Sequence, residues 1–438
     1  MTQQKLLIKN GLIVSSKDIV KKDVYIENGK IVDISSSINI DCDKIIDATN
    51  LYIFPGAIDP QVHFREPGAT YKEDIESGAR AAAAGGVTTF FEMPNTNPST
   101  TSRELLNNKN KIASQKSIVN YSFFLGATET NIEEIKKLKD NCGIKIFMGS
   151  STGTLLVDND KALEEIFKYA SRVVAVHAED EQTLQEASRT VKTTKFNEHP
   201  AARPVEAAVK ATTKAIKFAL KYKKRLHILH LTTAEEVAII REHKSTNLIT
   251  TETTPQHLLL HGPDIYDKIG SFAQMNPPIR EKSHQIALWE GLRDGTIDCI
   301  ATDHSPHSLE EKALPYGQAP SGMPGVETSL ALMLNEVSKE NITLQEVVKW
   351  MCENPANIYK IHNKGFIKKN YDADITIVDM QKEKIILGKN MQSKCGWTAF
   401  DNKQTKGWPI TTIVNGNIVY ENETLFTEHL GKEVSFIE

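Results

Sequence analysis

The chain has 438 residues, with 52 Lys and Arg against 56 Asp and Glu, and a formal net charge of −4. A balance this close to neutral gives no overall field to hold a nucleic acid, and no apolar run approaches the ~20 residues of a membrane span. The start, Met1 to Val14, is broken by Lys9, Asn10 and Gly11 and lacks a signal peptide's apolar stretch, while five scattered cysteines (Cys42, Cys142, Cys299, Cys352, Cys395) suit reduced thiols in a cytoplasm.

Taken in order, the first ~50 residues read as short strands: Leu6–Ile8, Leu12–Val14, Asp23–Glu27 and Lys30–Ile34. Asn28-Gly29 is the two-residue signal for a tight hairpin. The middle then alternates. Strands are expected at Ala57–Gln61, Val87–Phe91, Ser122–Leu125, Ile144–Phe147, Val173–Val176, Leu226–Leu229, Leu248–Glu252 and Ile297–Ala301. Helical patterns lie at Glu76–Ala84, stopped by Gly85-Gly86, and at Glu133–Lys139, Lys161–Tyr169 and Pro204–Lys221. The tail returns to strands at Asp374–Val378, Thr411–Val414 and Ile418–Tyr420, the last two flanking Asn415-Gly416. Eight strands alternating with helices predict a (β/α)8 barrel. The two β-rich ends predict one small β-domain built from both termini. The expected boundaries are 1–54 and 367–438 for that domain and 55–366 for the barrel. A doubly wound open sheet is the structural alternative, and a dinucleotide-binding fold has little support, since no GxGxxG follows an early strand.

Barrel chemistry gathers at the C-terminal ends of the strands. His63, Lys145, His177, His230 and Asp303 each take such a position on a different strand. A lone strand-end His is commonly a hydrogen-bonded interior residue. Three of them converging with an Asp would suit a divalent metal such as zinc. His227 lies an odd number of residues before His230, which puts it on the opposite face of a regular strand and marks it as structural. His199, His243, His284 and His362 sit in polar stretches and read as surface residues; Met93 and Met148 read as packing. Lys145 is flanked by Ile144, Ile146 and Phe147, and a buried ammonium needs an explanation. A salt bridge is one, a depressed pKa another, and a carbamate formed from the neutral amine and carbon dioxide a third.

The stretches HFREPG (63–68), MPNT (93–96), MNPPIR (275–280) and ATDHSPH (301–307), with Gly396-Trp397-Thr398 and Tyr371–Ile375, resemble the amidohydrolase superfamily. Within it the likeness is to the class I dihydroorotase family and runs along essentially the whole chain. The resemblance implies a metal-dependent hydrolase barrel with a small β-sandwich domain formed by both termini. It implies reversible opening of a cyclic amide, L-dihydroorotate to N-carbamoyl-L-aspartate, in pyrimidine biosynthesis. His177, His230 and a carbamylated Lys145 would hold one zinc; His63 and Asp303 would hold a second, and Asp303 would move the proton. Arg65, Asn95 and His307 would clamp the substrate carboxylate, Asn276 would contact the ring, and Ser321 and Gly322 would offer backbone contacts. The alternative for Arg65 is a salt bridge with Glu66 or Asp59. A homodimer is the family expectation.

Two departures stand out. Gln61 replaces the first His of the family's His-x-His, which leaves one or two zinc ions open. Gly143–Phe147 looks more like the carboxylated-lysine members, hydantoinases included, than like relatives with a bridging Asp. Gln256 likewise stands where relatives often have His, and His257 is left out of the site. The alternatives are a hydantoinase or allantoinase, or a silent relative serving as a partner of aspartate transcarbamoylase.

Overall fold

The computed structural model describes residues 5–151, 155–190 and 194–437. Met1 to Gln4, the head of the segment read as lacking an apolar leader, lie outside the described residues. Eight parallel strands form the barrel: Ala57–Val62, Val87–Glu92, Asn120–Phe123 with Leu125–Gly126, Ile144–Phe147, Val174–His177, Leu226–Ile228, Ile249–Thr253 and Cys299–Ile300. Their registers follow chain order, with Thr89 opposite Asn120, Ile144 opposite Val174, Val174 opposite Leu226 and Leu226 opposite Ile249. Closure comes past the eighth strand, where Val62 bridges His304 and the His63 amide donates to the His304 carbonyl at 2.7 Å.

The strands are buried on both faces, as parallel strands covered by helices must be. Outward residues such as Val174, Val176, Leu226 and Ile228 join the helix-facing core; inward residues such as Phe91, Ala175, Leu229 and Cys299 fill the barrel with Tyr359. The helix at Ile75–Ala84 starts where Asp74 and Ser77 form a reciprocal capping box and stops at Gly85, as its Gly-Gly signal predicts. The helices expected at Glu133, Lys161 and Pro204 occur as Ile132–Lys137, Asp160–Tyr169 and Val205–Tyr222.

Strands from both chain ends share one seven-stranded sheet. Thr424–Leu425, Asn417–Glu421, Gln404–Val414 and Ile375–Ile385 continue into Tyr52–Pro55, Leu12–Val14 and Ile19–Lys21. A four-stranded sheet of Lys30–Ser35, Asp23–Glu27, Lys5–Lys9 and Lys44–Asp47 faces it across a core of Leu6, Ile8, Ile26, Ile53, Ile375 and Ile413. Asn28-Gly29 and Asn415-Gly416 both turn with positive φ (54° and 76°; 49° and 81°), the conformation that makes Asn-Gly a hairpin signal.

Candidate functional site

One cleft at the C-terminal mouth of the barrel brings together Gln61, His63, Asn95, Lys145, His177, His230, Asn276, Asp303, Ser321 and Gly322. Phe147, Ser151 and Ser305 complete its lining, and sequence reasoning did not single these out. Two of the strand-end residues have left-handed backbone, His230 at φ 38° and Asp303 at φ 46°. Non-glycine residues hold that conformation only where surrounding structure enforces it, and functional sites are where it concentrates.

The left-handed turn also corrects the reading of His227. The sixth strand ends at Ile228, so parity no longer holds at His230. His230 swings inward to the cleft, while His227 faces the barrel interior beneath it, its ring 5.5 Å from that of Tyr359. There His227 Nε2 lies 3.0 Å from Glu252 Oε2 and Nδ1 2.9 Å from Thr250 Oγ1, the structural role expected of it. His227, Glu252 and Cys299 form a compact buried trio of metal-capable groups. Burial pushes the Glu252 carboxyl and the Cys299 thiol well up and His227 down to about 3, each toward its neutral form. Neutral forms suit a hydrogen-bonded packing layer, and the His227 contacts to Thr250 and Glu252 supply such bonds.

Higher in the barrel, His177 Nδ1 and His230 Nε2 approach to 3.0 Å. Burial lowers the pKa of both imidazoles and favours their neutral forms, in which one of the two facing nitrogens donates and the other accepts. His230 Nδ1 is buried with no hydrogen-bond partner among the described residues. Glu179 Oε2 lies 2.9 Å from His177 Nε2, and burial of Glu179 is outweighed by Arg203, which grips it through Nε at 3.0 Å and keeps it ionised. Lys145, also buried, has its Nζ 4.4 Å from the Phe147 ring, and no described carboxylate pairs with it. Desolvation pushes its pKa down to about 7, the depressed-pKa alternative rather than the salt bridge. Two neutral imidazoles facing each other beside an unpaired, partly neutral amine are a donor set that fits a divalent ion.

The other half of the cleft is a hydrogen-bonded array. Asp303 Oδ1 receives the Gln61 Nε2 amide at 2.9 Å and faces His63 Nε2 at 3.0 Å. Burial alone would raise the Asp303 pKa; His63, His230 and Lys145 outweigh it and hold the carboxylate ionised. His63 Nδ1 faces Asn95 Oδ1 at 2.8 Å.

Arg65 and His307 stand one layer behind the lining. Arg65 Nη2 donates to Ser305 Oγ at 2.5 Å and lies 3.3 Å from His307 Nε2, and its Nε donates to the Pro306 carbonyl at 3.2 Å. Neither suggested salt bridge occurs: Glu66 pairs with Lys116 at 2.7 Å, and Asp59 accepts from the Thr302 amide at 3.1 Å. His307 Nε2 is 3.0 Å from the Ser321 carbonyl, which ties this layer to the loop carrying Gly322. Gly322 has φ 145°, and a Cβ there would meet the Ser305 carbonyl at 2.5 Å.

His199 is a correction. Its polar neighbours suggested the surface, yet it is buried, with Nδ1 3.0 Å from the Tyr316 hydroxyl and Nε2 3.0 Å from both the Met275 carbonyl and Asn276 Oδ1. Burial lowers its pKa to about 4, so it is a neutral ring that fixes Asn276 against the cleft. His257 lies outside the lining, with Nε2 3.1 Å from the Pro277 carbonyl.

Comparison with known proteins adds family and relatives. The model of the amidohydrolase family matches residues 52–419. The dihydroorotase of Methanosphaera stadtmanae is 36% identical over 433 residues, covering 96% of this chain and 97% of that protein. The dihydroorotase of Pyrococcus furiosus is 35% identical, covering 98% of this chain and 96% of that protein. Among solved structures, the L-hydantoinase (dihydropyrimidinase) from Arthrobacter aurescens superposes with a TM-score of 0.93 at 30% identity, covering 98% of this chain and 99% of that one. Dihydropyrimidinase from Brevibacillus agri NCHU1002 follows with a TM-score of 0.90 at 27% identity, covering 99% of this chain and all of that one.

Proposed function

The chain belongs to the amidohydrolase family, and from that premise we propose that it is a dihydroorotase, hydrolysing the cyclic amide of L-dihydroorotate to N-carbamoyl-L-aspartate in pyrimidine biosynthesis. The observation that carries this is a single cleft in which Lys145, His177, His230 and Asp303 meet in front of the buried cation Arg65, in a chain matching dihydroorotases over nearly its whole length. The test is turnover of L-dihydroorotate beside hydantoin and allantoin. The hydantoinase reading has its own support in Lys145 and in the fold neighbours, so the three substrates must be compared directly.

We assign zinc to Lys145, His177 and His230, with Lys145 as the carbamate: the neutral amine adds carbon dioxide and releases one proton. When bound, the ion supplies Lewis-acid polarisation of the ring carbonyl and a water acidified to near neutral pH. The chain's own groups do the rest. Asp303 Oδ1 is anchored by Gln61 and His63, which leaves Oδ2 to take the proton of the attacking water and return it to the ring nitrogen as the C–N bond breaks. Asn95, Asn276 and the backbone at Ser321 and Gly322 orient the ring. Arg65, with His307 beside it, offers the substrate carboxylate a planar charge-assisted donor. We place the protein in the cytoplasm, as its five unpaired cysteines suit, and propose a homodimer with a possible aspartate transcarbamoylase partner.

Two expectations follow from these placements. Gln61 donates its amide to Asp303 and presents no imidazole, so the first family position keeps only His63 and Asp303 from the chain beside the carbamate. Purified protein is expected to retain about one zinc, and Gln61→His about two, by elemental analysis. Equal content in both would remove the role given to Gln61. Arg65→Lys keeps the charge and loses the fork; the Michaelis constant for dihydroorotate should rise about tenfold to hundredfold with kcat changed far less. An unchanged constant would take Arg65 out of substrate binding.

A further inference from the structure

The opposite mouth of the barrel carries a second concavity, of about 400 Å3. Lys139, Arg172, Lys223, Lys224, Arg225 and Lys360 line it, with one alanine and one serine and no carboxylate. Six cations in one cavity are out of keeping with a chain of net charge −4. The cavity sits before the strands whose far ends carry the cleft: Arg172 precedes Val174–His177 and Arg225 precedes Leu226–Ile228. Arg172 lies five residue steps before His177, about 16 Å along an extended chain.

The hydrogen-bond and ring partners of Lys224, Arg225 and Arg172 are neutral: Lys224 donates to the Ala170 carbonyl at 2.7 Å, Arg225 donates to the Ile358 carbonyl, and the Arg172 guanidinium lies 4.7 Å from the Phe436 ring. Arg225 is held below the usual guanidinium range by burial and by Arg172 beside it. Arg172 Nη2 donates to the Tyr359 carbonyl at 3.3 Å, while its Nε is buried with no hydrogen-bond partner among the described residues. Asp140, the acid that acts on Arg172, is paired with Arg103 at 2.6 Å. Lys223 and Lys360 each follow a helix at left-handed φ, 51° and 54°, where glycine is the usual residue. A lysine near a helix C-terminus complements the helix dipole, but that purpose does not call for a left-handed residue. Both side chains are kept on the rim of the same cavity despite the backbone cost.

We propose that this cavity is a binding site for a small multivalent phosphate anion, the pyrophosphate portion of a nucleoside diphosphate or inorganic pyrophosphate itself. Its volume is in the range of small-ligand sites, and clustered guanidinium and ammonium groups are the recognition chemistry of phosphates. The test is calorimetric titration of the whole protein with inorganic pyrophosphate and, separately, with uridine diphosphate, at physiological salt. Saturable one-to-one binding is expected. Uridine diphosphate binding more tightly than pyrophosphate identifies a nucleotide site; equal affinity identifies a site for the pyrophosphate group alone.

The double substitution Lys223→Gly and Lys360→Gly separates ligand binding from helix capping. Glycine suits both backbone positions, so the fold should be as stable or more so, and dihydroorotate turnover without anion should stay unchanged. Anion affinity should fall more than tenfold. Absence of saturable binding to either anion, or binding of undiminished affinity after the double substitution, would overturn the proposal.

Discussion

Replacing Asp303 with Asn is expected to lower kcat at least a thousandfold while the Michaelis constant shifts only a fewfold. A positioned general base contributes about 10²–10⁴-fold, and the amide can neither take the water's proton nor pass it on. Asn keeps the shape of the side chain and can still accept from Gln61 Nε2, now 2.9 Å from Oδ1, so ground-state packing is largely retained. The contrast between kcat and the Michaelis constant is what identifies a proton-transfer role. Equal loss in both would assign Asp303 to substrate binding. A variant that also lost its zinc would assign it to metal retention; elemental analysis of the same preparation distinguishes the two.

Lys145→Ala is expected to abolish turnover and to lose the metal together with it. On the proposed assignment, removal of the amine would remove the carbamate oxygens that complete the ligand set with His177 and His230, and two imidazoles alone hold zinc poorly. The wild-type chain offers a gentler form of the same experiment. Burial brings Lys145 to about 7, so the amine is mostly charged below that pH and mostly neutral above it. Only the neutral amine adds carbon dioxide. Protein stripped of metal and bicarbonate should therefore regain activity, on return of zinc at fixed dissolved carbon dioxide, faster at pH 8 than at pH 6, with the midpoint near 7. Recovery independent of carbon dioxide would show that Lys145 acts as an amine and would withdraw the carbamate.

How much of this is legible in the chain depends on whether a residue's role is set locally. His63, His177 and Asp303 could be placed at one cleft because each lies at or just past the end of a short buried strand, and barrel geometry does the rest. The Asn-Gly turns and the Gly85-Gly86 stop were equally readable, since their conformations are properties of the residues themselves. His227 misled because alternation assumes a continuous strand, and the left-handed residue at His230 breaks it. His199 misled because its polar neighbours are local, whereas the groups that bury it come from Met275, Asn276 and Tyr316, about 76 to 117 residues away. The strands at Lys44–Asp47 and Tyr52–Pro55 were missed for a related reason: they pair with the sequence-distant strands Lys5–Lys9 and Ile375–Ile385, with no hairpin signal beside them. Arg203 gave no sign of gripping Glu179, because a guanidinium in the short link between the helices His199–Ala202 and Val205–Tyr222 finds its carboxylate only in the folded chain.

The central claim is a cleft built for a cyclic amide that carries a carboxylate. It is tested most directly by the initial rates of zinc-loaded protein, in bicarbonate buffer, with L-dihydroorotate, hydantoin and allantoin side by side. The account predicts turnover of L-dihydroorotate with kcat/KM at least a hundredfold above the two uncharged rings, the discrimination a buried charge-assisted clamp can supply. Equal or better turnover of hydantoin, or no turnover of any of the three by protein shown to hold its metal, would contradict it.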